Sequence, residues 1–282
     1  MPFDTTVELL LYVFIALAML CIGMSSTLGD MLGLLRERTR VTRAIVVNVV
    51  LPPVAAFVLV ALIPMDDAAA TVLLLLAFAP GGINAVQFST KSPGQLAAAG
   101  ELLFLLSAIS LVTAPLAAGW LLPEDARVSI PVDHLMFRVL VLVVAPLILG
   151  MVIRASSPSI AEKIFKPAML ISTLAFITSV LLSLGMRQDA LAELGVGTAI
   201  AMLGFILILM AVGWALGGPT ADHRQVLAVT TNLRNVGLVY VLVDECCGEP
   251  QLATSVLAFM ALMVPANLVL TILSAVLRKR TQ

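Results

Sequence analysis

Nine apolar stretches, each about long enough to cross a bilayer, follow one another with short connections and almost nothing else between them. They run over about 7–28, 43–63, 68–88, 94–119, 134–154, 165–186, 194–217, 224–243 and 252–277. Hydrocarbon satisfies no backbone N–H or C=O, so such stretches cross as helices. The expected fold class is therefore an all-α polytopic membrane protein, a single transmembrane unit over residues 1–282. Composition agrees: 61% of residues are hydrophobic, 12% are charged and mean hydropathy is +1.10. A soluble domain carries ~25% charged residues. The lipid bilayer is thus the first partner. A net charge of −1 gives no attraction for nucleic acid, and no nucleic-acid partner is expected.

Enzyme chemistry is not expected either. Within the spans there are no paired aspartates, no Ser/His arrangement and no H-E-x-x-H, and the chain has no G-x-x-x-x-G-K-[ST] loop for ATP. Three cysteines make no disulfide framework, and His134 and His223 stand at opposite interfaces, so no metal site is expected.

Loop charges set the orientation. Arg36, Arg38, Arg40, Arg43, Lys91, Arg154, Lys163, Lys166, Arg224 and the Arg278-Lys279-Arg280 tail fall on one side. The opposite loops carry Asp66, Asp67, Glu124, Asp125, Asp189, Glu193, Asp244, Glu245 and Glu249. The positive-inside rule then places the N-terminus outside and the C-terminus in the cytoplasm, as an odd number of spans requires. The membrane expected is the plasma membrane, the inner one of a bacterium. The N-terminal region of the first stretch carries Asp4 and Glu8 and no basic residue, and no A-x-A site follows the apolar run, so it reads as a retained span rather than a secretory signal.

Two spans are interrupted. In the third, Pro80-Gly81-Gly82 is followed by Asn84 and Gln87; in the eighth, Thr230-Thr231-Asn232-Leu233-Arg234-Asn235 lies mid-span with Gly237 behind it. Broken backbone survives at membrane depth only where protein or a wet cavity satisfies it. A matched pair of such breaks points to the binding site of a secondary transporter. The centres of spans one to four and six to nine are offset by roughly 153–158 residues, and five spans separate each pair, which describes an inverted repeat.

At these breaks the chain resembles the bile acid:sodium symporter family. The resemblance rests on Ala79-Pro80-Gly81-Gly82, on a long span closing at Ala114-Pro115-Leu116, on Leu233-Arg234-Asn235-Val236-Gly237-Leu238, and on Gly23-Met24-Ser25-Ser26-Thr27-Leu28 before a basic loop. It implies nine helices in two bundles: a panel of spans one, two, five and six, and a core of spans three, four, seven, eight and nine. It also implies a small organic anion as substrate, carried by alternating access, and two sodium ions behind the crossing.

The sodium ligands depart from the family pattern. The Ser-Asn pair after the first break falls on Ala85 and Val86, the acid of the second motif on Thr230 and its glutamine on Arg234. Of the span-four positions, Ser107 keeps a ligand hydroxyl while the other becomes Leu103. A guanidinium in the same pocket repels a hard cation, so no bound metal or cofactor is expected.

Glu101 and Arg234 are the deep charges, at ~10 Å and ~15 Å from the same side, where a charge costs at least ~2.5–3.5 kcal/mol. Arg234 is expected to supply the positive charge that sodium supplies elsewhere, with Glu101 as its partner or as a proton site. Asn84, Gln87, Ser107, Thr230, Asn232 and Asn235 complete the candidate substrate and ion site, beside half-helix N-termini that favour an anion. The expected function is a secondary transporter of small organic anions, proton-linked or uncoupled. The rival readings are a sodium-coupled symporter with relocated sites and a non-transporting sensor on the same fold.

Overall fold

In a computed structural model, residues 3–25, 27, 29, 37–82, 93–122, 137, 140–186, 195–247 and 250–281 are described, and every regular element among them is a helix. Helix α1 covers Phe3–Ser25. The second span is α2 (Arg38–Ile45), a π-helical turn (Val46–Val50) and α3 (Leu51–Leu62) in one continuous rod. Pro52 and Pro53 account for the wide turn, because each ring crowds the carbonyl four residues back and offers no N–H. A second π turn, Leu140–Val144, precedes Pro146 in the same way and leads into α6, Ala145–Ser156.

The remaining helices are α4 (Asp67–Ala77), α5 (Pro93–Leu121), α7 (Pro158–Met186), α8 (Gly195–Leu216), α9 (Ala221–Asn232), α10 (Val236–Cys247) and α11 (Pro250–Thr281). The two expected breaks fall where the sequence puts them, after α4 and between α9 and α10. Six stretches among the described residues are long and apolar enough to cross a membrane: Thr5–Ser25, Arg38–Leu62, Glu101–Leu121, Gly195–Leu216, Ala221–Val243 and Pro250–Val269. Parts of the first, third and fifth expected spans, and the first residue of the seventh, lie outside the described residues.

Packing sorts the helices into two groups. Helix α1 lies against α6 and α7. Gly150 of α6 allows the closest approach: a Cβ there would meet Leu20 O and stand 3.0 Å from Gly23 Cα. Small residues at such a contact let helix backbones touch within a membrane. Phe14 packs against Phe176 with the rings tilted by 42° and their centroids 4.8 Å apart, and Ser172 Oγ donates to Phe14 O at 3.1 Å.

The second group surrounds the breaks. Helix α8 lies along α9, and α11 touches α4, α7, α8, α9 and α10. The second span packs here as well, α3 against α4 and α8 and its π turn against α8 and α9. This differs from the expected grouping of span two with spans one, five and six. The reason is local: the wide turn of this span feeds a carbonyl into the crossing. Enclosure follows the same division. Every residue from 225 to 243 is buried, whereas α3 exposes Val54, Phe57, Val58 and Leu62.

Candidate functional site

The first break begins where α4 ends at Ala77. Gly81 takes φ +89, and a Cβ there would also lie 2.8 Å from Ser107 N, so only glycine fits this close to α5. Helix α5 satisfies the freed carbonyls: Thr113 Oγ1 donates to Phe78 O at 2.6 Å and Ser107 Oγ to Gly81 O at 3.3 Å. Ser107 is thus at the break, with its hydroxyl bonded to it.

The second break is extended at Leu233. Asn235 Oδ1 then accepts from Leu238 N at 3.2 Å and caps α10. The two breaks bond directly: Asn235 N donates to Ala79 O and Gly82 N donates to Leu233 O, each at 2.8 Å. Backbone freed at one break is satisfied by the other, which is how both persist away from water. Gly82 is required for that contact, because a Cβ would meet Arg234 O and stand 2.8 Å from Leu233 O.

Arg234 sits inside this crossing with no solvent exposure. Its Nε donates to Leu76 O at 2.9 Å and its NH2 to Ala77 O at 2.6 Å. Its NH1 donates to Asn48 O at 3.2 Å and to Thr231 O at 3.3 Å. Three of the acceptors have a reason to be open, while Leu76 O also accepts from Ala79 N at 3.1 Å. Ala77 ends α4, and Thr231 lies in the last turn of α9, where helix carbonyls lack intrahelical donors. Asn48 O faces Pro52 and Pro53, neither of which has an N–H to give. Two half-helix C-termini also direct negative dipole ends at this point. The result is a cation site built from carbonyl oxygens and filled by a side chain of the protein.

The other expected residues divide around it. Thr230 Oγ1 donates to Val226 O and Leu227 O at 2.9 and 3.1 Å, and Thr231 Oγ1 donates to Leu227 O at 2.6 Å, so both hydroxyls are engaged within α9. Asn232 is fully buried with neither amide atom bonded, and Asn235 Nδ2 is buried and unbonded too. Pro80, Gly81, Gly82 and Gly237 stand at the breaks, and Gly237 faces Ile15 of α1. Asn84 and Gln87 lie outside the described residues.

Glu101 does not meet Arg234. It lies 3.5 Å from Arg40 of α2, and the guanidinium of Arg234 has no carboxylate partner among the described residues. Depth along a span is one coordinate, and two residues at compatible depths can belong to different faces of the bundle. Asn48 was not among the expected residues. Its signal was the Pro52-Pro53 pair four and five residues later, which strips a carbonyl of its donor.

Between α1 and the crossing lies a small cavity bordered by Ile15, Met19, Gly82 and Asn235, with about 10 Å³ of water-accessible space. That admits one water, so among the described residues α1 packs closely against the breaks.

The model of the Sodium Bile acid symporter family matches residues 12–194, well over half of the chain. The chain belongs to that family. Membership places it in a family of membrane transporters. The matched segment runs from within α1 to the residue before α8 and includes the first break. The second break lies beyond it, and its place beside the first rests on the bonds between them. No curated protein matches the chain.

Proposed function

We propose that the protein is a secondary transporter of small organic anions that works by alternating access and is not driven by sodium. The observation that carries the reading is Arg234, buried and bonded to the oxygens of Leu76, Ala77, Asn48 and Thr231. Sodium needs a set of oxygen ligands, and here those nearest the crossing already accept from a fixed guanidinium. A side chain cannot travel with the substrate, so the charge that an ion would bring on each cycle is permanent.

On this reading the two breaks are the matching halves of an inverted repeat, and the group of α1, α6 and α7 moves against them. The small cavity at Ile15 and Gly82 opens when it does. The anion is held by unbonded amides of the second break, Asn235 Nδ2 beside that cavity and Asn232, with Asn84 and Gln87 as the further candidates from the sequence. Of the two coupling modes, uncoupled exchange fits better than proton linkage, because among the described residues no carboxylate contacts the guanidinium. The loop charges support an outside N-terminus and a cytoplasmic C-terminus in the plasma membrane.

Uptake into proteoliposomes tests this. A panel of small carboxylates is offered with a sodium gradient, with a pH gradient and with neither. The expected result is saturable uptake that sodium leaves unchanged. Uptake that follows the sodium gradient overturns the reading in favour of relocated sodium sites. Binding without flux would identify a sensor.

A further inference from the structure

A second concentration of positive charge lies where the second span begins. A cavity of about 600 Å³ opens there between α2, Leu102 of α5, the Gly217-Gly218-Pro219 turn and the start of α9. Arg38, Arg40, Arg43 and His223 line it. Arg40 is engaged by Glu37 at 3.6 Å and by Glu101 at 3.5 Å. Arg38 and Arg43 are exposed and have no acid partner among the described residues.

The opposite wall is held in place. Arg224 Nε donates to Gly218 O at 2.9 Å, which fixes the turn. Arg43 reaches that turn, its NH1 standing 3.4 Å from where a Cβ of Gly218 would be. The acids nearby are Glu37 and Glu101, both on Arg40, and exposed Asp222 in the first turn of α9. Among the described residues the cavity therefore carries more positive than negative charge.

Below the arginines the surface turns apolar. A groove of about 440 Å³ runs from Arg38 and Arg43 past Val46, Val47 and Leu216. Val46, Leu216 and, one and two turns further along, Val50 and Val54 are exposed on the outside of the bundle. Guanidinium groups above an apolar trough, at the end of a membrane-crossing helix, complement a charged head joined to a hydrocarbon chain.

We propose that this cavity binds the phosphate of an anionic phospholipid, with Arg38 and Arg43 on the phosphate oxygens and an acyl chain along Val46 and Leu216. Arginine forks onto phosphate in a bidentate manner, and basic pockets between spans take anionic headgroups. None of the residues lining the cavity or groove belongs to α1, α6 or α7. The site is separate from the crossing and stands whether or not the transport reading does. A free phosphorylated solute offers the same oxygens without the chain.

The test uses the purified full-length protein in two arms. In one, it is equilibrated with mixed micelles of phosphatidylcholine alone or with phosphatidic acid added, and retained lipid is read by native mass spectrometry. In the other, glycerol 3-phosphate is titrated at constant ionic strength and the melting temperature is followed. The expected result is selective retention of phosphatidic acid, little response to the soluble phosphate, and a fall in retention of about thirtyfold in R38Q/R43Q. R38K/R43K, which keeps both charges but not the fork, should retain part of the binding, and an unchanged melting temperature of R38Q/R43Q without acidic lipid shows that its loss is not misfolding. Equal retention of the two lipids, or unchanged retention in R38Q/R43Q, overturns the proposal. A response to glycerol 3-phosphate as strong as that to the lipid removes the acyl groove from it.

Discussion

The protein places arginine in two opposite settings. Arg234 is enclosed, and its guanidinium meets four backbone carbonyl oxygens, at the ends of α4 and α9 and ahead of a proline pair. Arg38 and Arg43 are exposed at the end of the second span and carry no acid partner among the described residues. The difference separates two uses of one side chain. Where helices break inside a membrane, a guanidinium acts as a structural ion, since unsatisfied carbonyls in a dry interior are expensive. Where the chain leaves the membrane, the same group remains available to something outside the fold.

The sharpest way to break this contrast is to remove the enclosed member. R234M leaves the carbonyls of Ala77, Asn48 and Thr231 without this donor, at about 1–3 kcal/mol for each unmet group. The expected loss of stability is about 3 kcal/mol or more, read as collapse of the monodisperse peak and of the melting transition in detergent. R234K, with one compact ammonium and no fork, should recover only part of it. A methionine variant that melts with the parent protein would remove the clasp from the account. By comparison, R38Q/R43Q should melt within about 0.5 kcal/mol of the parent in the absence of acidic lipid, as exposed substitutions do.

Gly82→Ala tests the same crossing without touching a charge. A methyl group there must displace the backbone at Leu233 and Arg234, for an expected cost of about 3 kcal/mol. The melting temperature checks it, and amide exchange at Gly82 and Asn235 should accelerate as their paired bonds loosen. Asn235→Ala removes only the cap on α10, worth about 1 kcal/mol. If Asn235 also contacts the anion, uptake falls by far more than this loss of stability explains. Smallest of all, Glu101→Gln weakens the pair with Arg40, which is part-exposed on both sides, by about 0.5 kcal/mol. Melting should barely move, and transport should persist; loss of uptake in this variant would return Glu101 to the transport mechanism.

Much of this was legible in the residues. Pro80-Gly81-Gly82 and the polar run at 230–235 stand out because lipid tolerates neither, and the structure brings those two places together. The partners of Arg234 were harder to read. A buried arginine invites a search for an acid, and Glu101 lay at a compatible depth, but backbone carbonyls carry no residue-type signature. Only prolines and helix ends betray them, and both are present: Pro52-Pro53 for Asn48, and the ends of α4 and α9 for the rest. The neighbours of the second span were also hidden, since spacing along a chain gives the order of spans and not which of them touch.

The bond from Arg234 to Asn48 joins residues 186 apart in the chain. Segments enter a membrane in the order they are synthesised, so the second span is made long before its donor. Until residue 234 arrives, the carbonyl left open by Pro52 and Pro53 must be met by water, by the insertion machinery or by a temporary neighbour. Assembly of this bundle therefore has a late closing step, and a nascent chain halted ahead of it would hold an early helix that is inserted but not yet locked.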